Sequence, residues 1–380
     1  MPYITINTRP KNYQISFNDI LSGFENKYYG QQKDTKDTRT WFVEEINDDL
    51  ITRTDFVKMY QSLKSFNEKY KALISTVDKN QLYKTFKIPK KSGGLRTINA
   101  PNEELLRALR ELKYIFECDF YASYHSSAFA YIKGRSTIDA VKRHQTNKSR
   151  WFLKLDFSKF FPSTTQSFLT NMLCETYPFC AFVKNKDCKK ELDEALSLCF
   201  LNGGLPQGTP TSPLLTNMMM IPIDYAIAKM CREHVPHLKY TRYADDLLIS
   251  SEFSFKWEEV QRNVVDILRS FHAPFVLNTT KTRYGSSAGR NWNLGVMLNK
   301  DNEITVGHAK KKTLKAMLFQ FMTDDSKGSS WSIEDVQYMM GIISYYRMVE
   351  GKKIDDIIQT YSAKFNKDVL ATAKALLNPC

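Results

Sequence analysis

The sequence predicts an α+β fold, on three observations. Short apolar strands stand at 151–156 (WFLKLD) and 240–250 (YTRYADDLLIS), the second with an acidic pair in its middle. Short alternating runs flank Ser92-Gly93-Gly94 in YKTFKIPKKSGGLRTINAP, residues 83–101, which reads as a β-hairpin. Apolar residues at helical spacing fill much of the rest, and antiparallel strands mixed with segregated helices define this class.

Taken in order, residues 1–40 are polar and turn-rich and end in GQQKDTKDTRT, so a loosely ordered lead or peripheral cap is expected. From Trp41 to Tyr83 the pattern is helical. Phe56, Met59, Tyr60, Leu63 and Phe66 fall on one face, with Thr54 as a plausible N-cap. After the hairpin a helix is expected from Glu103 to about Phe120. A strand pair is expected near 291–307, then helices near 309–323 and 333–349, with shorter helical pieces beyond Lys352. This suggests a helical extension over 1–80, a central domain over 81–300 and a helical domain over 301–380.

With 42% hydrophobic residues in 380, the chain can bury a sizeable core. Lys and Arg number 54 against 41 Asp and Glu, a net charge of +13. That excess favours a polyanionic partner, because Lys and Arg displace condensed counterions from a phosphate backbone. No apolar run reaches the roughly 18 residues a membrane helix needs, so no membrane partner is expected. The seven cysteines (118, 174, 180, 188, 199, 231 and 380) include no C-x-x-C pair. Free thiols in a reducing cytoplasm are therefore expected, not a zinc site or a disulfide framework. The opening MPYITINTRPKNYQ carries no secretion signal, which agrees with a cytoplasmic location.

The chemistry centres on Tyr243-Ala244-Asp245-Asp246. Side chains alternate faces along a strand, so two adjacent carboxylates fit best at a tight turn between two strands. Held close, they need a cation, or one pKa must rise. A divalent metal is the natural neutraliser, and Mg2+ suits one or two carboxylates plus substrate phosphates. A bare Asp-Asp is usually a solvated turn, but Leu247-Leu248-Ile249 behind it makes that reading less comfortable. Asp156 ends the separate strand WFLKLD and precedes two aromatics and Pro162; its bland reading is a helix cap. On neighbouring strands the three acids would bind two ions, the arrangement that lowers the pKa of an attacking 3′-hydroxyl and stabilises in-line phosphoryl transfer.

These residues resemble the palm of a reverse transcriptase. The resemblance runs from about Tyr83 to Gly307 through IPKKSGGLRTINAP, AYIKGRSTIDAVKRH, KLDFSKFFPS, LPQGTPTSPLLTN, YTRYADDLLIS, LNTTKT and NLGVML, in that family's order. It implies a right-hand polymerase: fingers and palm over 81–300, with an antiparallel palm sheet, and a helical, RNA-binding thumb over 301–380. By the resemblance Asp156, Asp245 and Asp246 would be metal ligands, and Lys281 a palm lysine and general acid near the pyrophosphate. Lys91, Arg96, Phe157, Phe161, Gln207 and Gly208 would bind the nucleotide. Among them Phe161 would be the steric gate against a ribose 2′-hydroxyl, Arg96 and Lys91 would hold the triphosphate, and Gln207-Gly208 would back the base pair. Leu294-Gly295-Val296 would form the primer grip. The expected cofactor is Mg2+, two ions, with Mn2+ as a substitute.

The compact plan resembles bacterial retron reverse transcriptases and related phage-defence enzymes. It departs from the retron pattern at Ala128-Phe129-Ala130, where His-Gly-Phe is usual, and at Trp292-Asn293-Leu294-Gly295, where Val-Thr-Gly is usual. The resemblance implies RNA-directed DNA synthesis on a non-coding RNA template from dNTPs, in antiviral defence. An effector or toxin protein and self-association are among the partners such enzymes have. Lys310, Lys311, Lys312, Lys352 and Lys353 are the candidate RNA contacts. Cations at a helix start oppose the macrodipole, and phosphate contact would explain them. Two other readings stand beside this one: template-independent or protein-primed DNA synthesis by the same palm, and an inactive RNA-binding scaffold.

Overall fold

In the computed structural model, residues 3–7, 12–16, 53–90, 93–287, 296–299, 301–328 and 331–377 are described. Strands β1 (Tyr3–Asn7) and β2 (Asn12–Ser16) pair antiparallel, where a loosely ordered lead was expected. The short alternating runs YITIN and NYQIS, separated by turn residues, account for the pairing. The helix Arg53–Lys69 buries Met59, Leu63 and Phe66, as its spacing predicts. Thr54, expected as the cap, lies inside it.

Strands β3 (Tyr83–Pro89) and β4 (Leu95–Pro101) form the expected hairpin, in register from Tyr83↔Pro101 to Pro89↔Leu95. Gly93 and Gly94 turn it with φ of 85° and 79°, left-handed values that a side chain would resist. Most of the ribbon is exposed on both faces. The helix Glu103–Cys118 follows, with the Asn102 side chain accepting from the Leu105 N–H and Glu103 and Glu104 in its first turn.

The central sheet holds β5 (Trp151–Ser158), β6 (Lys239–Tyr243), β7 (Asp246–Ser251), β8 (Val276–Leu277) and β9 (Arg283–Ser286). Its order is β6-β7-β5-β8, with β9 also on β5. β5 and β8 pair antiparallel, Phe157 opposite Leu277. β5 runs two residues past Asp156, so this acid sits within a strand and not at its end or at a helix cap. Strands β10 (Met297–Leu298) and β11 (Ile304–Thr305) make the later pair. Among the described residues the cysteines are free thiols, and no helix is long and apolar enough to cross a membrane.

The chain does not divide at residues 80 and 300. One unit holds Met1–Arg135, Lys154–Leu247 and Lys256–Thr282; the other holds Ser136–Leu153, Leu248–Phe255 and Arg283–Cys380. The boundary cuts β5 and β7; on the second unit's side of it, Arg150 donates its N–H to the Ser251 carbonyl and Ser287 donates to that of Arg150. The second unit contains the expected helices His308–Ser326, Ile333–Phe365 and Val369–Leu377 around Leu318, Phe321, Val336, Met339, Ile343 and Ile358. The break expected between 349 and 352 is a kink at Glu350, whose φ and ψ of −136° and 50° are not helical. The buried Glu350 carboxylate accepts from the Val306 N–H and Thr305 Oγ1, each at 2.8 Å, and pairs with Lys311 at 3.0 Å.

Among the described residues of the first unit, Arg242 on β6 is the largest fully buried side chain. Its guanidinium grips both oxygens of Asp224, in the first turn of the helix Ile221–Glu233, at 2.7 to 3.1 Å. Tyr240 donates to the same carboxylate at 2.7 Å. Arg242 Nη1 reaches Asn217 Oδ1 at 3.1 Å and the Ala244 carbonyl at 3.2 Å. A buried charge is tolerated only when paired and hydrogen-bonded, and removing one partner leaves the other uncompensated. Asp224→Ala should therefore cost about 3–5 kcal/mol, read as a lowered midpoint in denaturant unfolding.

Candidate active site

The acidic pair lies at the tight turn its spacing predicts. β6 ends at Tyr243, β7 begins at Asp246, and Ala244 turns the chain with a left-handed φ of 57°. Such a conformation is costly for a side-chain-bearing residue and persists only where its surroundings hold it. Arg242 supplies the hold through the Ala244 carbonyl. β5 lies beside the turn: the Phe157 N–H donates to the Asp245 carbonyl at 3.0 Å, and the Asn278 N–H to that of Asp156 at 2.7 Å.

The three carboxylates therefore occupy one corner of the sheet. Burial, foremost, and then the negative charge of Asp246 and Asp156, push the Asp245 carboxyl above its ordinary range. Asp156 is buried, and Lys281 Nζ lies 2.9 and 3.0 Å from its two oxygens. That hydrogen bond holds the Lys281 ammonium above its usual pKa, against some loss from burial. Lys281 stands in the short turn Thr279–Lys281 that follows β8. Lys154 Nζ lies 2.8 Å from Asp246 Oδ2.

Among the described residues, no three His, Cys, Asp or Glu side chains form a ready-made metal cage. The donors nevertheless fit a divalent ion. They are hard carboxylate oxygens, burial and the neighbouring acids disfavour the charged form of Asp245 without a cation, and Mg2+ is commonly held by one or two carboxylates with substrate phosphates completing its shell.

Around this corner, the αL residue Lys159 leads into the short helix Phe160–Ser163. Phe160 is buried, and Phe161 beside it is only half-buried. The Phe161 carbonyl accepts from the Leu205 N–H at 3.0 Å. At Gly204 a Cβ would fall 2.1 Å from the Pro162 carbonyl oxygen, so this contact admits glycine alone. Gln207 is joined to the hairpin, since the Asn99 N–H donates to its carbonyl at 2.8 Å. Gly208 has φ of 120°, and a Cβ there would meet Asn99 O at 2.9 Å. Arg96 is exposed on β4 opposite Ile88.

Several expected residues fall elsewhere. The Phe157 ring is buried, stacked on Phe160 at 5.3 Å and against Phe275 at 4.8 Å, so its side chain belongs to the core. Val296 is fully buried with Val141, Phe152, Leu248 and Leu298, so its side chain belongs to that cluster. Lys311 pairs with the buried Glu350, and the exposed Lys353 with the exposed Glu303. Lys310 is half-buried, and Lys312 and Lys352 are exposed. Lys91, Leu294 and Gly295 lie outside the described residues.

Two features escaped the sequence reading. Lys154 stands two residues before Asp156, and strand alternation puts both on one face. Arg242 is a charge inside an apolar strand, a pattern that predicts a buried partner without naming it.

A fold and an acidic corner of this kind suit nucleotidyl transfer, and comparison with known proteins gives the class. Residues 88–316 match the family model described as reverse transcriptase (RNA-dependent DNA polymerase), and the chain belongs to that family. It is a retron-like reverse transcriptase, an RNA-directed DNA polymerase. It is 28% identical over 296 residues to the retron Ec83 reverse transcriptase of Escherichia coli, covering 76% of this chain and 89% of that one. It is 28% identical over 286 residues to the retron Mx65 reverse transcriptase of Myxococcus xanthus, covering 72% and 62%. The retron Ec73 enzyme of Escherichia coli is 26% identical over 277 residues, covering 70% and 83%. Among solved structures, apo telomerase from Candida tropicalis aligns with a TM-score of 0.45 and 14% identity, over 88% of this chain and 69% of that one. Members of the reverse transcriptase family use divalent metal ions.

Gly204→Ala should lower the thermal unfolding midpoint, with a cost of about 1–3 kcal/mol from overpacking, because the clash is with backbone that has no rotamer to change.

Proposed function

We propose that Asp156 and Asp245, with Asp246 beside them, form the polymerising centre for two Mg2+ ions, with Mn2+ as a substitute. One observation carries the reading: Asp156, Asp245 and Asp246 meet at one corner of the sheet, with Lys281 on Asp156. Bound there, divalent ions would lower the pKa of a primer 3′-hydroxyl and offset the charge of in-line transfer. The chain's own groups do the rest. Lys281 is an exposed ammonium able to turn from Asp156 to a leaving pyrophosphate and supply a proton. The half-buried Phe161 ring would crowd a ribose 2′-hydroxyl and favour dNTPs. Arg96 would grip triphosphate oxygens from the hairpin, and Gln207-Gly208 would back the nascent base pair.

The template we propose is a structured non-coding RNA, copied into DNA in antiviral defence. The helical unit would contact it through Lys310, Lys312 and Lys352, with Tyr338 as an exposed stacking surface. Sequencing the nucleic acid that co-purifies with the protein reads out this part, and recovery of DNA joined or paired to one RNA is expected.

Primer extension on an RNA template, with a template-free control, tests the centre. Wild type should incorporate dNTPs only with template, and Asp245→Ala should abolish incorporation while retaining its fold by circular dichroism. Incorporation unaffected by that substitution would overturn the assignment. Phe161→Ala should raise rNTP use relative to dNTP use in competition assays; unchanged discrimination would remove the gate.

A further inference from the structure

The two lysines at the acidic corner are not equivalent. Lys281 is 55% exposed, at the end of a turn, with a long stem free to redirect its charge. Lys154 is rooted in the middle of β5 and only 17% exposed, and its partner Asp246 is 21% exposed. The two meet across adjacent strands at 2.8 Å. Among the described residues, the ion pairs at this corner are Lys154–Asp246 and Lys281–Asp156, and Asp245 has none.

Separating a largely buried pair leaves two uncompensated charges, so Asp246 is tied to Lys154 in a way that Asp156 is not tied to Lys281. The tie also matters for the neighbouring acid. Without a fixed positive charge beside it, Asp246 would place a full second negative charge next to Asp245. β5 thus carries both a carboxylate and, two residues earlier on the same face, the cation that neutralises the other strand's extra acid.

We propose that Lys154 is a positioning residue that reserves Asp246 as its own counter-ion, leaving Asp156 and Asp245 to carry the divalent ions. This rests on the reading of the corner as a metal centre. It divides the adjacent aspartates by role: one faces the ions, and the other is anchored to the sheet. Lys154 acts through Asp246 and touches no substrate.

The test is direct Mn2+ binding to the full chain, followed by electron paramagnetic resonance without nucleotide, so that turnover plays no part. Asp156→Asn and Asp245→Asn should each weaken Mn2+ binding about tenfold or more, as expected when a carboxylate charge in contact with the ion is lost. Asp246→Asn should stay within roughly fivefold of wild type, the effect of one screened charge. Lys154→Met should tighten binding by roughly fivefold through the freed carboxylate, and Lys154→Arg should restore wild-type affinity. Asp246→Asn weakening binding as much as Asp245→Asn overturns the role of Lys154 while leaving the metal centre standing. No change in Asp156→Asn and Asp245→Asn overturns both. Lys154→Met binding Mn2+ no more tightly than wild type overturns the role of Lys154, and if that variant fails to fold, Lys154→Gln is read in its place.

Discussion

The ion pair between Arg242 and Asp224 is the constraint on which the acidic corner depends. Ala244 must adopt a left-handed backbone for Asp245 and Asp246 to leave the turn together. That conformation has no support from its own side chain. The support comes from below, where a buried guanidinium bonds the Ala244 carbonyl and is itself fixed by Asp224 and Asn217. The same network reaches sideways. Asn217 donates to the Ala130 carbonyl at 2.8 Å, and Arg242 exchanges backbone bonds with Ser127 and Phe129. Strand, turn and the neighbouring 127–130 segment are therefore held by one set of polar groups sealed from water, where hydrogen bonds are strong and unmade ones expensive.

The Asp–Asp repulsion is managed differently, by cations at the surface of the site. Lys281 and Lys154 approach from two elements and take different acids, so the negative charge is distributed unevenly among the three. Asp245 has no ion pair among the described residues, and burial first, then the charges of Asp246 and Asp156, hold its carboxyl above the ordinary range. Sites built for chemistry commonly keep such strain, because an optimum for folding would remove the group that reacts.

Much of this was legible in the chain. The 3.6-residue spacing of Met59, Leu63 and Phe66 placed a helix, Gly93-Gly94 placed a hairpin, and Tyr243-Ala244-Asp245-Asp246 placed a turn, because each signal is local. What the sequence could not show was pairing at a distance. Nothing in the residues near Lys311 announces that Glu350, 39 positions on, will claim it. Phe157 and Phe161 look alike in a run of aromatics, yet Phe157 is buried as part of β5 while Phe161, beyond the αL turn at Lys159, is half-buried. The division of the chain was likewise hidden, since β5 and β7 each serve two units through bonds made by residues far apart in sequence.

The β3–β4 ribbon has a mechanical consequence. An isolated two-stranded ribbon is marginal in water, and this one leaves Phe86, Ile88 and Leu95 exposed along its length. Its described anchorage lies at its root, where the Asn99 N–H meets the Gln207 carbonyl and the Asn102 N–H meets that of Leu82. A ribbon clamped at one end behaves as a lever. Displacement of its outer half is carried by Asn99 to the Gln207 backbone, and Gly208 packs so closely on Asn99 and Ile98 that only a residue without a side chain fits between root and loop.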